Sequence, residues 1–231
     1  MALNFQTLKT RALTALIFVL VMGLGLFWNF WAFLILFTII HFGCWYELVK
    51  LMKKIHGKKY LMFCFLGLIY ISLPVLLIID LRSEGNIFKG QFAFTDNGKI
   101  IPCAILFSIW INDTMAYIVG SLIGKTPFTK ISPKKTLEGT IGGIILCVTA
   151  IALMGYYIPV AKTIAVQHWI AIAAICAIFG TAGDLLESKI KRMADVKDSG
   201  SFMPGHGGFL DRFDSLLVAV PFVWLYVKLF F

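Results

Sequence analysis

The sequence has 231 residues, of which 59% are apolar, 15% aromatic and only 14% charged. Soluble domains carry about 25% charged residues, so a chain this poor in polar surface is excluded from that class and takes lipid as its outer solvent. The net charge of +9 suits the basic cytoplasmic loops of a membrane protein. Nucleic-acid binding is excluded, because the basic residues are not interleaved with aromatics on a polar face.

Taken in chain order, the apolar runs predict an all-α bundle of about seven membrane helices, since a span takes about 20 largely apolar residues. The expected spans are 12–27, 28–49, 60–79, 100–123, 139–158, 166–187 and 213–230. The first follows Lys9 and Arg11, as in a signal peptide, but further apolar segments succeed it and it reads as a first span. It is joined to the second by little more than Trp28 and Asn29, so both are expected to be short, tilted or partly re-entrant. Barrel strands would alternate over about ten residues, and these runs do not. Cys44, Cys64, Cys103, Cys147 and Cys176 lie in apolar sequence, without C-x-x-C spacing or a nearby histidine. They read as small buried hydrophobes, not as disulfide partners or zinc ligands.

With alternate loops assigned to alternate sides, sixteen Lys and Arg fall on the side of the N-terminus. Five fall on the other: Arg82, Lys89, Lys99, Lys162 and Lys228. Positive loops stay in the cytoplasm, so the N-terminus is expected inside and the C-terminus outside. Residues 1–99 form N-terminal membrane helices on this reading, and 100–231 a catalytic membrane region with its motif loops in the cytoplasm.

Ionisable groups inside a span cost about 2.5–3.5 kcal/mol at the helix centre and mark candidate sites. The fourth span carries Asn112, Asp113, Thr114 and Tyr117, and the sixth carries Asp184, Glu187 and Ser188. Asp184, Glu187, Ser188 and Lys191 recur at i, i+3, i+4 and i+7, one stripe of a helix suited to a charged substrate and its metal. Lys191 and Arg192 serve equally well as ordinary cations at a helix C-terminus. Between spans four and five, Ser132, Lys134, Lys135 and Thr136 precede Glu138 and Gly139. That loop is either an anion site beside a helix N-terminus or a plain positive-inside loop. Gly120, Gly124, Gly139 and Gly143 form small-xxx-small pairs suited to close helix packing. After span six comes KDSGSFMPGHGGFLDRFDS, with Lys197, Asp198, His206, Gly207, Gly208, Asp211, Arg212 and Asp214. Glycine turns of this kind bring amide N–H groups close to phosphate oxygens. Carboxylates with several cations and no activated nucleophile fit Mg²⁺-assisted phosphoryl or nucleotidyl transfer.

The stretch 188–214 resembles the signature of the phosphatidate cytidylyltransferase (CDP-diacylglycerol synthase) family. It supplies Ser188, Lys191, Arg192, Lys197, Asp198, Gly200, Pro204, His206, Gly207, Gly208, Asp211, Arg212 and Asp214 in register, with Met203 at a position usually Leu, Ile or Phe. D-T-x-A-Y at 113–117 and S-P-K-K-T-x-E-G at 132–139 are also similar to family motifs. The resemblance implies CTP and phosphatidate as substrates, CDP-diacylglycerol and diphosphate as products, and a bacterial cytoplasmic membrane as the setting. It implies Asp184 and Asp211 as ligands of Mg²⁺, with Asp214 or Asp113 as supplements and room for a second cation. Lys134, Lys135, Lys191, Arg192 and Arg212 would hold the triphosphate and the lipid phosphate, and His206 would shape the nucleotide loop. A homodimer is within expectation. Competing readings are CTP-dependent modification of a different lipid and an ion-coupled transporter; no inverted repeat supports the latter.

Overall fold

The computed structural model describes residues 5–83, 97–202 and 207–231, with side chains from Ala12 onward. The described residues contain no named strand and form eight α-helices: α1 (Phe5–Phe27), α2 (Phe30–His56), α3 (Tyr60–Cys64), α4 (Leu73–Ser83), α5 (Ile100–Ile123), α6 (Leu137–Tyr157), α7 (Val166–Met193) and α8 (Leu210–Phe230). Among the described residues, five helical stretches are long and apolar enough to cross a membrane: Phe30–Cys64, Ile100–Ile123, Leu137–Tyr157, Val166–Met193 and Leu210–Phe230. Ala12–Phe27 is apolar but shorter. Large apolar side chains such as Leu16, Leu20, Leu24, Phe42, Leu61 and Phe65 point outward. A water-soluble molecule would not expose so many, whereas a polytopic all-α membrane protein needs them as its lipid-facing coat.

The chain divides into two compact units, one of residues 1–99 and 190–213, the other of 100–189 and 214–231. Residues 190–213 fall in the first of these units, so α7 and α8 each contribute to both.

In the first unit α2 is the central element. Asn29 starts it, its side chain accepting from the Ala32 amide at 2.8 Å, as a helix N-cap does. Phe33, Phe37, Ile40 and Cys44 on α2 are fully buried with Met22, Ile71 and Ile78. The expected third span is not one regular helix. A 3₁₀ turn at Gly57–Lys59 precedes α3, and a π-helical turn at Leu68–Ser72 separates α3 from α4. The Ser72 hydroxyl lies 2.9 Å from His41 Nε2 and accepts from Trp45 Nε1 at 2.9 Å. The π turn replaces the regular i−4 hydrogen bonds with i−5 ones, and Ser72 at its end ties it to α2. Arg82, assigned from the sequence to an outer loop, is instead buried, its guanidinium 5.9 Å from the rings of Phe30 and Phe33. Most of the remaining loop, with Lys89, lies outside the described residues.

In the second unit α5 and α6 pack through the predicted small residues. A methyl group at Gly139 would meet the Ala116 carbonyl oxygen at 2.7 Å and the Gly120 Cα at 2.9 Å, and one at Gly143 would meet the Ala116 Cβ at 2.7 Å. Gly183 on α7 likewise leaves 2.5 Å to the Asp214 carbonyl oxygen on α8. Backbone approach this close is how helices gain packing energy in lipid, where no hydrophobic force joins them. Cys44, Cys64, Cys147 and Cys176 are buried and all five cysteines are free, as their apolar settings predict. Gly143→Leu should force α5 and α6 apart at a cost of about 1–3 kcal/mol; a lower thermal midpoint in detergent, with helix content retained, is the expected result.

Candidate active site

The glycine turn after α7 is organised around Asp211, in the first turn of α8. One carboxylate oxygen, Oδ2, accepts from the Ser199 amide at 2.9 Å, the Ser199 hydroxyl at 2.9 Å and the Gly208 amide at 2.8 Å. The other, Oδ1, receives the Lys191 ammonium at 2.6 Å. Both side chains are largely withdrawn from solvent, at 13% exposure for Lys191 and 7% for Asp211. Charge-assisted bonds of this number hold a carboxylate in one orientation. Gly207 has φ of 84°, which an L side chain resists. Gly208, read from the sequence as a phosphate-approach glycine, commits its amide to Asp211.

A residue that the sequence reading passed over completes this unit. Glu47 on α2 is 3% exposed. Its carboxylate accepts from the Ser199 hydroxyl at 2.7 Å and from the amides of Phe209 and Leu210, both at 2.9 Å. Those amides open α8 and have no helical partners of their own. The signal was available: a lone glutamate in FGCWYELV is an ionisable group in an apolar run, the criterion that singled out Asp113 and Asp184. No recognisable motif surrounds it.

The second unit holds the other predicted acid. Asp184 Oδ2 pairs with the Lys135 ammonium and its Oδ1 accepts from Ser188 Oγ at 3.3 Å. Asp184 is about a quarter exposed, Ser188 half-buried. Glu187, expected on the same lining stripe, is buried at 1% exposure. The loop presenting Lys135 is a folded object. Pro127 and Thr136 form an isolated antiparallel bridge, with Phe128 N donating to Lys135 O at 2.7 Å and Leu137 N to Thr126 O at 2.9 Å. Glu138, in the first turn of α6, accepts from the Lys125 amide at 3.1 Å, the Thr126 amide at 3.2 Å and the Thr126 hydroxyl at 2.8 Å. Thr136 caps α6 through the Gly139 amide at 3.1 Å. Ser132 accepts from the Lys135 amide through its carbonyl at 3.0 Å. A basic loop tied down at both ends is more than a solvated positive run.

The remaining predicted residues are placed more simply. Asp113, Lys134, Lys197, Asp198 and Arg212 are exposed. Arg192 donates to the Val196 carbonyl at 3.3 Å, closing the end of α7, as a helix-end cation does. Asp214 is 8% exposed and accepts from the Ser215 amide at 2.7 Å. His206 lies outside the described residues. No group of three or more His, Cys, Asp or Glu able to hold a metal converges among the described residues. Asp184 and Asp211 each carry a lysine ammonium on one carboxylate oxygen; Mg²⁺ typically takes one or two carboxylates and completes its shell with phosphate oxygens and water.

The order of these residues along the chain has a counterpart in known proteins. The sequence pattern of the Cytidylyltransferase family matches residues 58–230. This chain belongs to that family. Its relatives include proteins named phosphatidate cytidylyltransferase from Staphylococcus saprophyticus, 38% identical over 160 residues, and from Bacillus subtilis, 45% identical over 124. A third, from Staphylococcus epidermidis, is 36% identical over 162 residues. These matches cover 69%, 53% and 69% of this chain and 56%, 45% and 56% of the relatives, so the chain spans about half the length of the curated relatives it matches. Asp184, Asp211 and both basic stretches fall within the family match; Glu47 precedes it.

Glu138→Ala should release the basic loop without unfolding α6. Amide hydrogen exchange at Lys125 and Thr126 is expected to quicken roughly tenfold or more, the loss of about 1.5 kcal/mol of charge-assisted bonding, while helix amides keep their protection.

Proposed function

We propose that this chain transfers the cytidylyl group of CTP to phosphatidate, giving CDP-diacylglycerol and diphosphate. The observation that carries the reading is the Lys191–Asp211 pair, seated by Ser199 and Gly208 within the motif shared with the family. Its geometry is that of a charged site kept in order inside a lipid-facing protein.

An oxygen of the lipid phosphate attacks the α-phosphorus of CTP in line. A new P–O bond forms there as the bond from the α-phosphorus to the bridging oxygen breaks, and diphosphate leaves with that electron pair. The attacking oxygen is ionised already, so no side chain has to remove a proton. The work left to the protein is positioning and charge neutralisation. Lys134, Lys135, Lys191, Arg192 and Arg212 supply positive charge for the triphosphate and the lipid phosphate. Lys135 and Lys191 rest on Asp184 and Asp211, and a phosphate oxygen competes for each ammonium and so frees a carboxylate oxygen. Asp184 and Asp211, supplemented by Asp214 or Asp113, would hold Mg²⁺, which when bound neutralises phosphate charge and polarises the α-phosphoryl group.

The loops carrying these residues face the cytoplasm of a bacterial inner membrane on this proposal, where CTP is present, and the surplus of Lys and Arg on that side supports the orientation. Single cysteines replacing Lys58 and Lys162 test it: an impermeant thiol reagent should label the first only in inverted vesicles and the second only in right-side-out ones.

Purified protein given CTP labelled at the α-phosphate should transfer label to phosphatidate in the presence of Mg²⁺. Asp211→Asn should lower turnover by roughly 10²-fold or more with the thermal midpoint held. Label passing to a different lipid phosphate, or to none, overturns the assignment of phosphatidate. Full activity in Asp211→Asn removes Asp211 from the site.

A further inference from the structure

We propose that Glu47, on a helix ahead of the family match, is a positioning residue of the transfer site, acting through Asp211. The inference rests on the proposed cytidylyl transfer and adds to it the element that sets the geometry of the glycine turn.

Three observations converge. First, Glu47 is buried at 3% exposure and spends both carboxylate oxygens on the turn: Oε1 on the Phe209 amide, Oε2 on the Leu210 amide and the Ser199 hydroxyl. A buried carboxylate persists only where donors offset its desolvation, and here every donor comes from the segment that carries Asp211. Second, Ser199 joins the two acids. Its hydroxyl lies 2.7 Å from Glu47 and 2.9 Å from Asp211, and its amide donates to Asp211 at 2.9 Å. Moving Glu47 moves the donor that orients Asp211. Third, two glycines are explained by Glu47. A Cβ at Gly200 or at Gly208 would fall inside the van der Waals envelope of the Glu47 carboxylate. Neither has the positive φ that Gly207 has, so space is what requires glycine at both positions. One helical turn earlier on α2, Gly43 leaves room for the Phe209 ring, 2.5 Å from where a methyl group would stand. Gly43 and Glu47 at i and i+4 therefore form one seat for residues 208–210.

A merely structural glutamate and a positioning one differ in what they change. Glu47→Gln keeps the shape but turns an N–H₂ toward amides that need an acceptor. It should reduce kcat roughly 10- to 100-fold, as loss of an outer-shell partner does, and raise the Mg²⁺ concentration needed for half-activation. KM for phosphatidate should stay near that of the unmodified protein, and the thermal midpoint should fall only by what one amide left without an acceptor costs. Gly208→Ala should be comparably damaging alone and add little on a Glu47→Ala background, where the clash is gone. Ser199→Ala, a smaller change, should shift the Mg²⁺ midpoint in the same direction and serves if Glu47 variants fail to fold. Wild-type kcat and Mg²⁺ midpoint in Glu47→Gln or in folded Ser199→Ala, or fully additive losses in the Gly208/Glu47 pair, overturn the proposal. Hydrogen exchange separates its failure from that of the transfer reaction. If the unmodified protein makes no CDP-lipid, faster exchange at Gly208, Phe209 and Leu210 in folded Glu47→Gln still supports the seat, and unchanged exchange refutes it.

Discussion

Asp211 accepts three hydrogen bonds on one oxygen and an ammonium on the other, and the turn between α7 and α8 is arranged around those bonds. A carboxylate withdrawn this far from solvent takes its donors from the chain itself. They come from the loop that connects α7 to α8, and that loop is in turn held by Glu47. The glycines at 200 and 208 follow from the same requirement, because backbone amides reach a buried acid only where no side chain stands between.

The second unit solves a similar problem with a different part. Its Asp184–Lys135 pair joins a membrane helix to a loop, and the loop is braced from below by Glu138 and Thr136. Two acids outside the reacting groups, Glu47 and Glu138, thus have related duties: Glu47 gathers the amides that open α8, Glu138 gathers those just past the end of α5, and each restrains the segment bearing a catalytic candidate. Carboxylates suit this because they accept several amides at once and favour the positive end of a helix.

Much of this was legible in the residues. Hydropathy located the helices, and the i, i+3, i+4 spacing put Asp184 and Ser188 side by side on α7. The small residues at 120, 139 and 143 named the contact between α5 and α6. What failed did so for physical reasons. Glu187 shares the stripe of Asp184 by helical geometry, yet packing, which periodicity does not encode, buries it. Arg82 reads as a loop cation by charge, but its flat guanidinium is accommodated by Phe30 and Phe33. Glu47 stood outside every motif because its partners are about 150 residues further along the chain, a separation that local pattern cannot bridge. The interruption of the third span left no trace in its hydropathy, since a π turn exchanges one hydrogen-bond ladder for another without changing composition.

That π turn has an effect beyond its own five residues. An inserted helical residue advances the chain by about 100° around the axis, so it acts on α4 as a frameshift acts on a reading frame. The faces of residues 73–83 are set by their count from Leu68–Ser72 and not by continuity with α3. Asp80 and Arg82 are both buried at the far end of α4, and the phase that puts them there is registered by a serine hydroxyl holding Trp45 and His41. Removing one residue from the turn would barely change the composition of the span. It would also rotate Arg82 out from between its two phenylalanines and expose a charge to hydrocarbon.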